Sequence, residues 1–180
     1  MAAASGGSRD DWFRLDDDAL ARTCEIDRIR GSGRGGQKRN KTESLVRARH
    51  RPTGVVAHSD DSRSQHSNKA HALRRLREKI ALEVREPVEL DGEYEPPPEL
   101  RDMLRPDAPG PGKKRRHEAS YLAGIAALLD LFEHQGASLS DTARVLGVPS
   151  GAVAKVIRRD ERLQRKVAEL RQKRGLGPIS

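Results

Sequence analysis

SGRGGQKRNKTESLVRARHRPTGVV, residues 32–56, is the stretch from which the fold is read. It opens with Gly33, Gly35 and Gly36 among Arg34, Lys38, Arg39 and Lys41, with the neutral amide Gln37 in their midst. Adjacent glycines remove two Cβ atoms, so the backbone is free to adopt positive φ and to approach another molecule closely. Amide N–H groups exposed in such a loop can cradle an anion or an oxyanion. The stretch then changes character. Val46, Ala48 and His50 alternate with Leu45, Arg47 and Arg49, the two-residue period of a strand with one buried face. RPTG, residues 51–54, is a turn signal, and VVAHS, residues 55–59, reads as the return strand, giving a hairpin over 43–60. Two common phosphate loops are excluded. No Gly-Lys-Ser/Thr stands at P-loop spacing, and a hairpin occupies the place where a dinucleotide fingerprint needs a βαβ unit.

Working outward, DDDALARTC (residues 16–24) predicts a short helix with an acidic first turn, and EIDRIR a strand with Ile26 and Ile29 as its apolar members. Residues 1–14 are expected to be disordered. From Ser67 onward Leu73, Leu76, Ile80 and Val84 recur at helical spacing, predicting an amphipathic helix with an arginine-rich outer face that lies across the hairpin. Residues 15–86 thus read as a small α+β domain, a short antiparallel sheet covered by one helix. EPPPEL, RPDAPGPG and KKRRH then predict an extended Pro/Gly-rich linker over 87–117, ending in the basic cluster Lys113, Lys114, Arg115 and Arg116. Residues 118–176 read as an all-α module. Leu122, Ile125, Leu129 and Phe132 mark a helix stopped by Gly136, and residues 138–160 read as helix, turn, helix. Ser140 and Ser150 are the candidate caps and Gly147 the turn, with a last helix over 161–174.

Composition narrows the partner. A formal net charge of +8 and a pI of 10.0 favour a polyanion, and nucleic acid is the commonest. Aromatic residues are 3% of the chain and dispersed, which argues against base-stacking platforms. Cys24 is alone, so no disulfide framework is available, and it reads as a small buried residue. His58, His66 and His71 lack ligand spacing, so neither a metal nor another cofactor is expected. The N-terminus lacks the basic start and apolar run of a secretory signal, and no stretch is long and apolar enough for a membrane span. A cytoplasmic monomer is the expectation.

The glycine loop and the seventy or so residues around it resemble the catalytic domain of class I peptide-chain release factors and their small ribosome-rescue relatives. The likeness runs, in one order, through Ser32-Gly33, Gly35-Gly36-Gln37, Asn40, Val46-Arg47, His50, Pro52-Thr53-Gly54, Arg63-Ser64-Gln65 and Asn68-Lys69. The resemblance implies hydrolysis of the ester between a nascent peptide and the transfer RNA in the ribosomal P site. It makes Gly35, Gly36 and Gln37 catalytic. The Gln37 N–H donates to the developing oxyanion, and its side chain helps select water as the nucleophile. It also implies RNA contact by Arg34, Lys38, Arg39 and Lys41 along the loop, and by Arg63, Ser64, Gln65 and Lys69 at the helix entry. Arg34 and Arg39 depart from the family pattern, which has a small residue or proline at the first position and an apolar residue at the second.

The additional domains with which full-length termination factors read the stop codon have no counterpart here, which makes codon-independent rescue of stalled ribosomes the expected role. The partners implied are the RNA of the peptidyl-transferase centre and P-site peptidyl-tRNA. Lys113, Lys114, Arg115 and Arg116 are expected to bind RNA, with the messenger channel as a further contact. Two rivals remain open. One is a non-catalytic ribosome- or RNA-binding protein that keeps the fold. The other is a helix-turn-helix nucleic-acid-binding regulator, suggested by Ala143, Gly147-Val148, Val153 and Ile157 with Lys155, Arg158 and Arg159 on the second helix.

Overall fold

The hairpin is present, and a third strand joins it. In the computed structural model, which describes residues 8–29, 45–90 and 92–179, β1 (Cys24–Ile29), β2 (Leu45–His50) and β3 (Val56–Ser59) form an antiparallel sheet in the order β1-β2-β3. The chain divides into two compact units, Met1–Glu83 and Val84–Ser180.

In the first unit the strand alternation decides which face is covered. Val46, Ala48, His50, Ala57 and Ser59 are buried, while Arg47, Arg49 and His58 point the other way and are exposed. Helix α3 (Gln65–Glu83) packs on the covered face through Ala72, Leu73, Leu76 and Ile80, all at 0% exposure. Alanines at 48, 57 and 72 leave room for the larger Leu73, Leu76 and Ile80 to fill the interface. Each of those three side chains contributes roughly 1.5–3 kcal/mol by its removal from water. The cations on α3 are not simply a solvated face. Arg75 donates to both Asp61 oxygens (3.0 and 2.7 Å) and to the His58 carbonyl (2.8 Å). Arg77 reaches Asp17 and the Leu15 carbonyl, each at 2.8 Å, and Lys79 reaches the Val56 carbonyl.

The expected disordered N-terminus needs correction over its second half. Residues Arg9–Arg14 form helix α1, with Asp10 and Asp11 in its first turn and Phe13 buried. Trp12 meets the His50 ring edge-on with centroids 4.5 Å apart. Two adjacent aromatics give this segment an apolar face that its polar flanks conceal. Helix α2 (Asp17–Arg22) is as expected, capped by Asp16, which accepts from the Ala19 N–H at 2.7 Å.

The second unit is all helical: α4 (Pro98–Leu104), α5 (Ala119–His134), α6 (Leu139–Val145), α7 (Ser150–Arg158) and α8 (Glu161–Lys173), with a 3₁₀ turn at Arg115–His117. The segment expected to be an extended linker is therefore structured in part. Pro98 stands in the first turn of α4, where its missing N–H costs nothing, and Leu100 and Met103 are buried where α4 packs on α5. Residues 121–132 of α5 are buried on every side, so the apolar stripe seen in the sequence is part of a fully enclosed central helix. The caps also differ from expectation. Ser138, not Ser140, caps α6 by accepting from the Asp141 N–H, and Pro149 precedes α7, of which Ser150 is the first residue. Gly147 makes the intervening turn at φ +65°.

Candidate functional site

The glycine loop leaves and re-enters the sheet at one point. Ile29 and Leu45 are the last paired residues of β1 and β2, and residues 30–44 join them. Gly35, Gly36 and Gln37, with Arg34, Lys38, Arg39 and Lys41, lie outside the described residues. The base on which they are mounted lies within them.

That base has one register. On one face Cys24 stands opposite His50, Ile26 opposite Ala48 and Arg28 opposite Val46, covered at the Cys24 end and open at Arg28. On the open face Asp27 pairs with Arg47 at 2.8 Å and Glu25 faces Arg49 at 3.9 Å. Exposed pairs of this kind stabilise by little, but slipping β2 by one residue would bury Arg47 and Arg49 and expose Val46 and Ala48. The two strand ends that hold the loop are thereby fixed. In the sequence these charges are visible only as the outer face of a strand; their pairing needs the register.

His50, one of the family-like positions, is structural. Its Nδ1 is 2.8 Å from the Thr53 hydroxyl, its N–H donates to the Val55 carbonyl, and its carbonyl accepts from the Gly54 N–H in the turn at φ +72°. The ring is fully buried, and Nε2 has no hydrogen-bond partner among the described residues. Burial pushes its pKa down to about 4, so at neutral pH the imidazole is uncharged and enclosed, which rules it out as a solvent-facing general base. Burial likewise raises the Cys24 thiol, whose Sγ donates to the Leu20 carbonyl. It is no nucleophile.

The entry to α3 brings four expected residues together. Arg63 and Ser64 are exposed, Gln65 begins the helix, and Lys69 stands one turn on, 3.6 Å from Asp18. The corner is held by Asn68, at 0% exposure, which accepts from the Ser62 N–H (2.8 Å) and donates to the Ser62 carbonyl (2.7 Å). Ser64 is structural as well, since its hydroxyl accepts from the Ser67 N–H. Asn68 has no distinct role on sequence grounds, because a buried amide clamping a serine-rich turn has no periodic signature. Lys69 then joins Arg22 and Arg28 around an open cleft of about 780 Å³, tempered by Asp18 and Asp27 and floored by Ile26. This cleft adjoins the end of β1 from which the glycine loop departs. Lys113, Lys114, Arg115 and Arg116 belong to the second unit.

The arrangement can present cations and mount a loop. Among the described residues no group of three or more His, Cys, Asp or Glu could hold a metal ion. No helix among them is long and apolar enough to cross a membrane.

Comparison with known proteins agrees with this reading. Residues 18–97 match the RF-1 domain. Peptide chain release factor 1 of Paracidovorax citrulli (strain AAC00-1) is 60% identical over 55 residues, which is 31% of this chain and 15% of that protein. Peptide chain release factor 2 of Buchnera aphidicola subsp. Baizongia pistaciae (strain Bp) is 51% identical over 63 residues, 35% of this chain and 17% of the relative. Peptide chain release factor 1 of Leptothrix cholodnii (strain ATCC 51168 / LMG 8142 / SP-6) is 54% identical over 61 residues, 34% and 17% of the two chains. The chain thus spans less than a fifth of the length of these relatives. The paired strands, the buried His50 and the Asn68 corner all fall inside residues 18–97, the segment that matches the RF-1 domain.

Proposed function

We propose that this protein hydrolyses the ester of peptidyl-tRNA in the peptidyl-transferase centre of stalled ribosomes, without reading a codon, and so releases the nascent chain. The observation that carries the reading is the position of Gly35-Gly36-Gln37 within residues 18–97, on a link whose two ends are the last pair of a register-locked hairpin. A link over 30–44 extends at most about 25 Å from its paired base, enough to carry a tip into a narrow RNA-walled channel.

The chemistry asks little of the protein. Water attacks the ester carbonyl, its oxygen gains negative charge, and the 3′ oxygen of the transfer RNA leaves with a proton. A backbone N–H of Gln37 aimed at that oxygen supplies roughly 3–4 kcal/mol of transition-state stabilisation. Gly35 and Gly36 allow the approach, and the Gln37 side chain favours water over larger nucleophiles. Arg34, Lys38, Arg39 and Lys41 beside the tip, and Arg63, Ser64, Gln65 and Lys69 at the base, contact ribosomal RNA phosphates. The RF-1 match ends at residue 97, so targeting to stalled ribosomes falls to the helical second unit and its Lys113–Arg116 cluster.

The decisive experiment is release of labelled peptide from ribosomes stalled on a messenger without a stop codon. Wild type is expected to release it, and Gln37→Ala and Gly36→Ala to be slower by about a hundredfold or more. Unchanged release by Gln37→Ala overturns the mechanism. Tight ribosome binding without release by wild type leaves a non-catalytic binder in its place.

A further inference from the structure

Basic residues about forty-five positions apart in the chain converge on one corner of the second unit. Arg159 donates to the Ala108 carbonyl at 2.7 Å, and Arg162 to the Arg116 carbonyl at 3.2 Å. Residues 108–116 are thereby tied at both ends to the junction of α7 and α8. Arg115 closes the intervening turn by donating to the Pro109 carbonyl. Beneath it the junction is rigid. Asp160, 1% exposed, caps α8 through the Arg162 N–H (2.9 Å), accepts from Tyr121 (3.1 Å) and pairs with the Arg162 guanidinium at 2.7 Å. Lys113, Lys114 and Arg158 stand exposed on this frame, and their side chains make no hydrogen bond or ion pair with any described residue. The anions nearby do not cancel them. Asp160 is consumed internally, Glu161 lies 3.8 Å from Arg165, Asp107 pairs with Arg105 at 2.9 Å, and among the described residues Glu118 is a further exposed carboxylate close by in the chain.

The same contacts close the alternative face. In a helix-turn-helix the second helix enters the major groove. Here Lys155 of α7 donates to the Pro106 carbonyl, and Met103, Leu104 and Pro106 flank Gly151 and Ala152 across a cleft of about 440 Å³. A groove-reading helix needs free side chains that reach base edges. The first turns of α7 offer Ser150 and Gly151, without a long polar side chain, beside the cleft that Met103, Leu104 and Pro106 line.

We infer that the second unit binds the phosphate backbone of RNA, without base selection, through the α7–α8 corner carrying Lys113, Lys114 and Arg158, and not through α7 as a groove reader. The choice of RNA rests on the proposed function; the corner and the blocked helix stand on geometry alone.

The test uses the full chain and fluorescence anisotropy on a labelled oligouridylate of about 20 nucleotides and on a DNA duplex of like length, over a salt series. The triple variant Lys113→Gln, Lys114→Gln, Arg158→Gln removes only exposed, unpaired charge, so its circular dichroism is expected to match wild type. Its RNA affinity is expected to fall at least tenfold, and its salt slope to flatten by about two, at roughly 0.7 per lost phosphate contact. Gly151→Glu, at a site where an added Cβ meets nothing within 4 Å, is expected to bind RNA within twofold of wild type. Unchanged RNA affinity in the triple variant overturns the inference. So does a loss of binding in Gly151→Glu, or a preference of wild type for particular duplex DNA sequences. Gln37→Ala separates the two readings. It is expected to lose peptide release and keep RNA affinity, so a protein that binds RNA through the corner and never releases peptide refutes the hydrolase and leaves the corner standing.

Discussion

Replacing Asp160 tests whether the corner of the second unit is as rigid as its contacts indicate. The carboxylate is fully enclosed, and the Arg162 side chain beside it is 14% exposed. In Asp160→Ala the α8 cap is lost, the Tyr121 hydroxyl loses its acceptor, and a largely buried guanidinium loses its counter-ion. Breaking a buried pair from one side costs about 3–5 kcal/mol, most of it from the stranded charge. We expect about 4 kcal/mol for Asp160→Ala and about 2 for Asp160→Asn, which keeps one acceptor oxygen for the cap and puts an NH2 donor beside the Tyr121 hydroxyl. Tyr121→Phe, which deletes one hydrogen bond, is expected to cost about 1. Burial alone would raise the Asp160 pKa, but the hydrogen bond and charge of Arg162, its N–H and the Tyr121 hydroxyl hold it below the ordinary 3.8. The stability that the ionised carboxylate contributes is therefore fully present above that value and lost as pH falls through the folded pKa. Urea unfolding followed by far-ultraviolet ellipticity, at neutral pH and again near pH 3, is the assay. A loss below 1 kcal/mol for Asp160→Ala, or a wild-type advantage over Asp160→Asn that does not shrink in acid, refutes the reasoning.

His50 supplies a second test. Its pKa is pushed from the ordinary 6.5 to about 4, so the unfolded chain binds the extra proton first, and stability falls as pH drops from 6.5 toward 4, by about 3 kcal/mol in all. Unfolding followed by Trp12 fluorescence should show that slope in wild type and a flatter one in His50→Gln; equal slopes refute it. In Gly124→Ala the added methyl runs into the Met103 sulfur and stands 3.0 Å from the Glu99 carbonyl oxygen. Overpacking of about 1–3 kcal/mol exceeds the helix-propensity gain of up to about 1, so a net loss is expected, reduced in a Met103→Ala background. Equal losses in both backgrounds would place the strain elsewhere.

How much of the fold is legible in the sequence depends on whether a residue's role is local. Val46, Ala48 and His50 can be assigned a buried face because a strand's period is two, and Leu73, Leu76 and Ile80 a buried stripe because a helix's is near four. Residues 9–14 and 98–104 escape because each helix is only six or seven residues long, and their stability comes from burying Phe13, or Leu100 and Met103, against distant elements. Ser138 and Ser140 carry the same propensity two residues apart, and only the Asp141 N–H chooses between them. On the candidate site, Arg63, Ser64, Gln65 and Lys69 are recognisable as a group because they are neighbours in sequence. The clamp by Asn68 and the meeting of Lys69 with Arg22 and Arg28 are not, since both depend on tertiary placement.

The excess of positive charge then acquires a different meaning from the one that composition suggests. A net +8 describes every cation equally, yet the structure spends many of them internally. Arg75 and Arg77 strap loops onto α3, Arg85 is held by Asp130 and the Ala126 carbonyl, and Arg159 and Arg162 tie residues 108–116 in place. A guanidinium engaged in this way offers little to a phosphate, since binding would exchange one set of hydrogen bonds for another. Among the described residues, the charge open to a partner lies with exposed side chains that make no such contact: Arg22, Arg28, Arg63 and Arg74 in the first unit, Lys113, Lys114 and Arg158 in the second. These fall into two groups, one around the helix that supports the hairpin and one on the α7–α8 corner. Each group offers phosphate contacts of its own, so neutralising the free cations of one unit is expected to lower polyanion affinity and its salt slope in proportion to the charges removed from that unit alone.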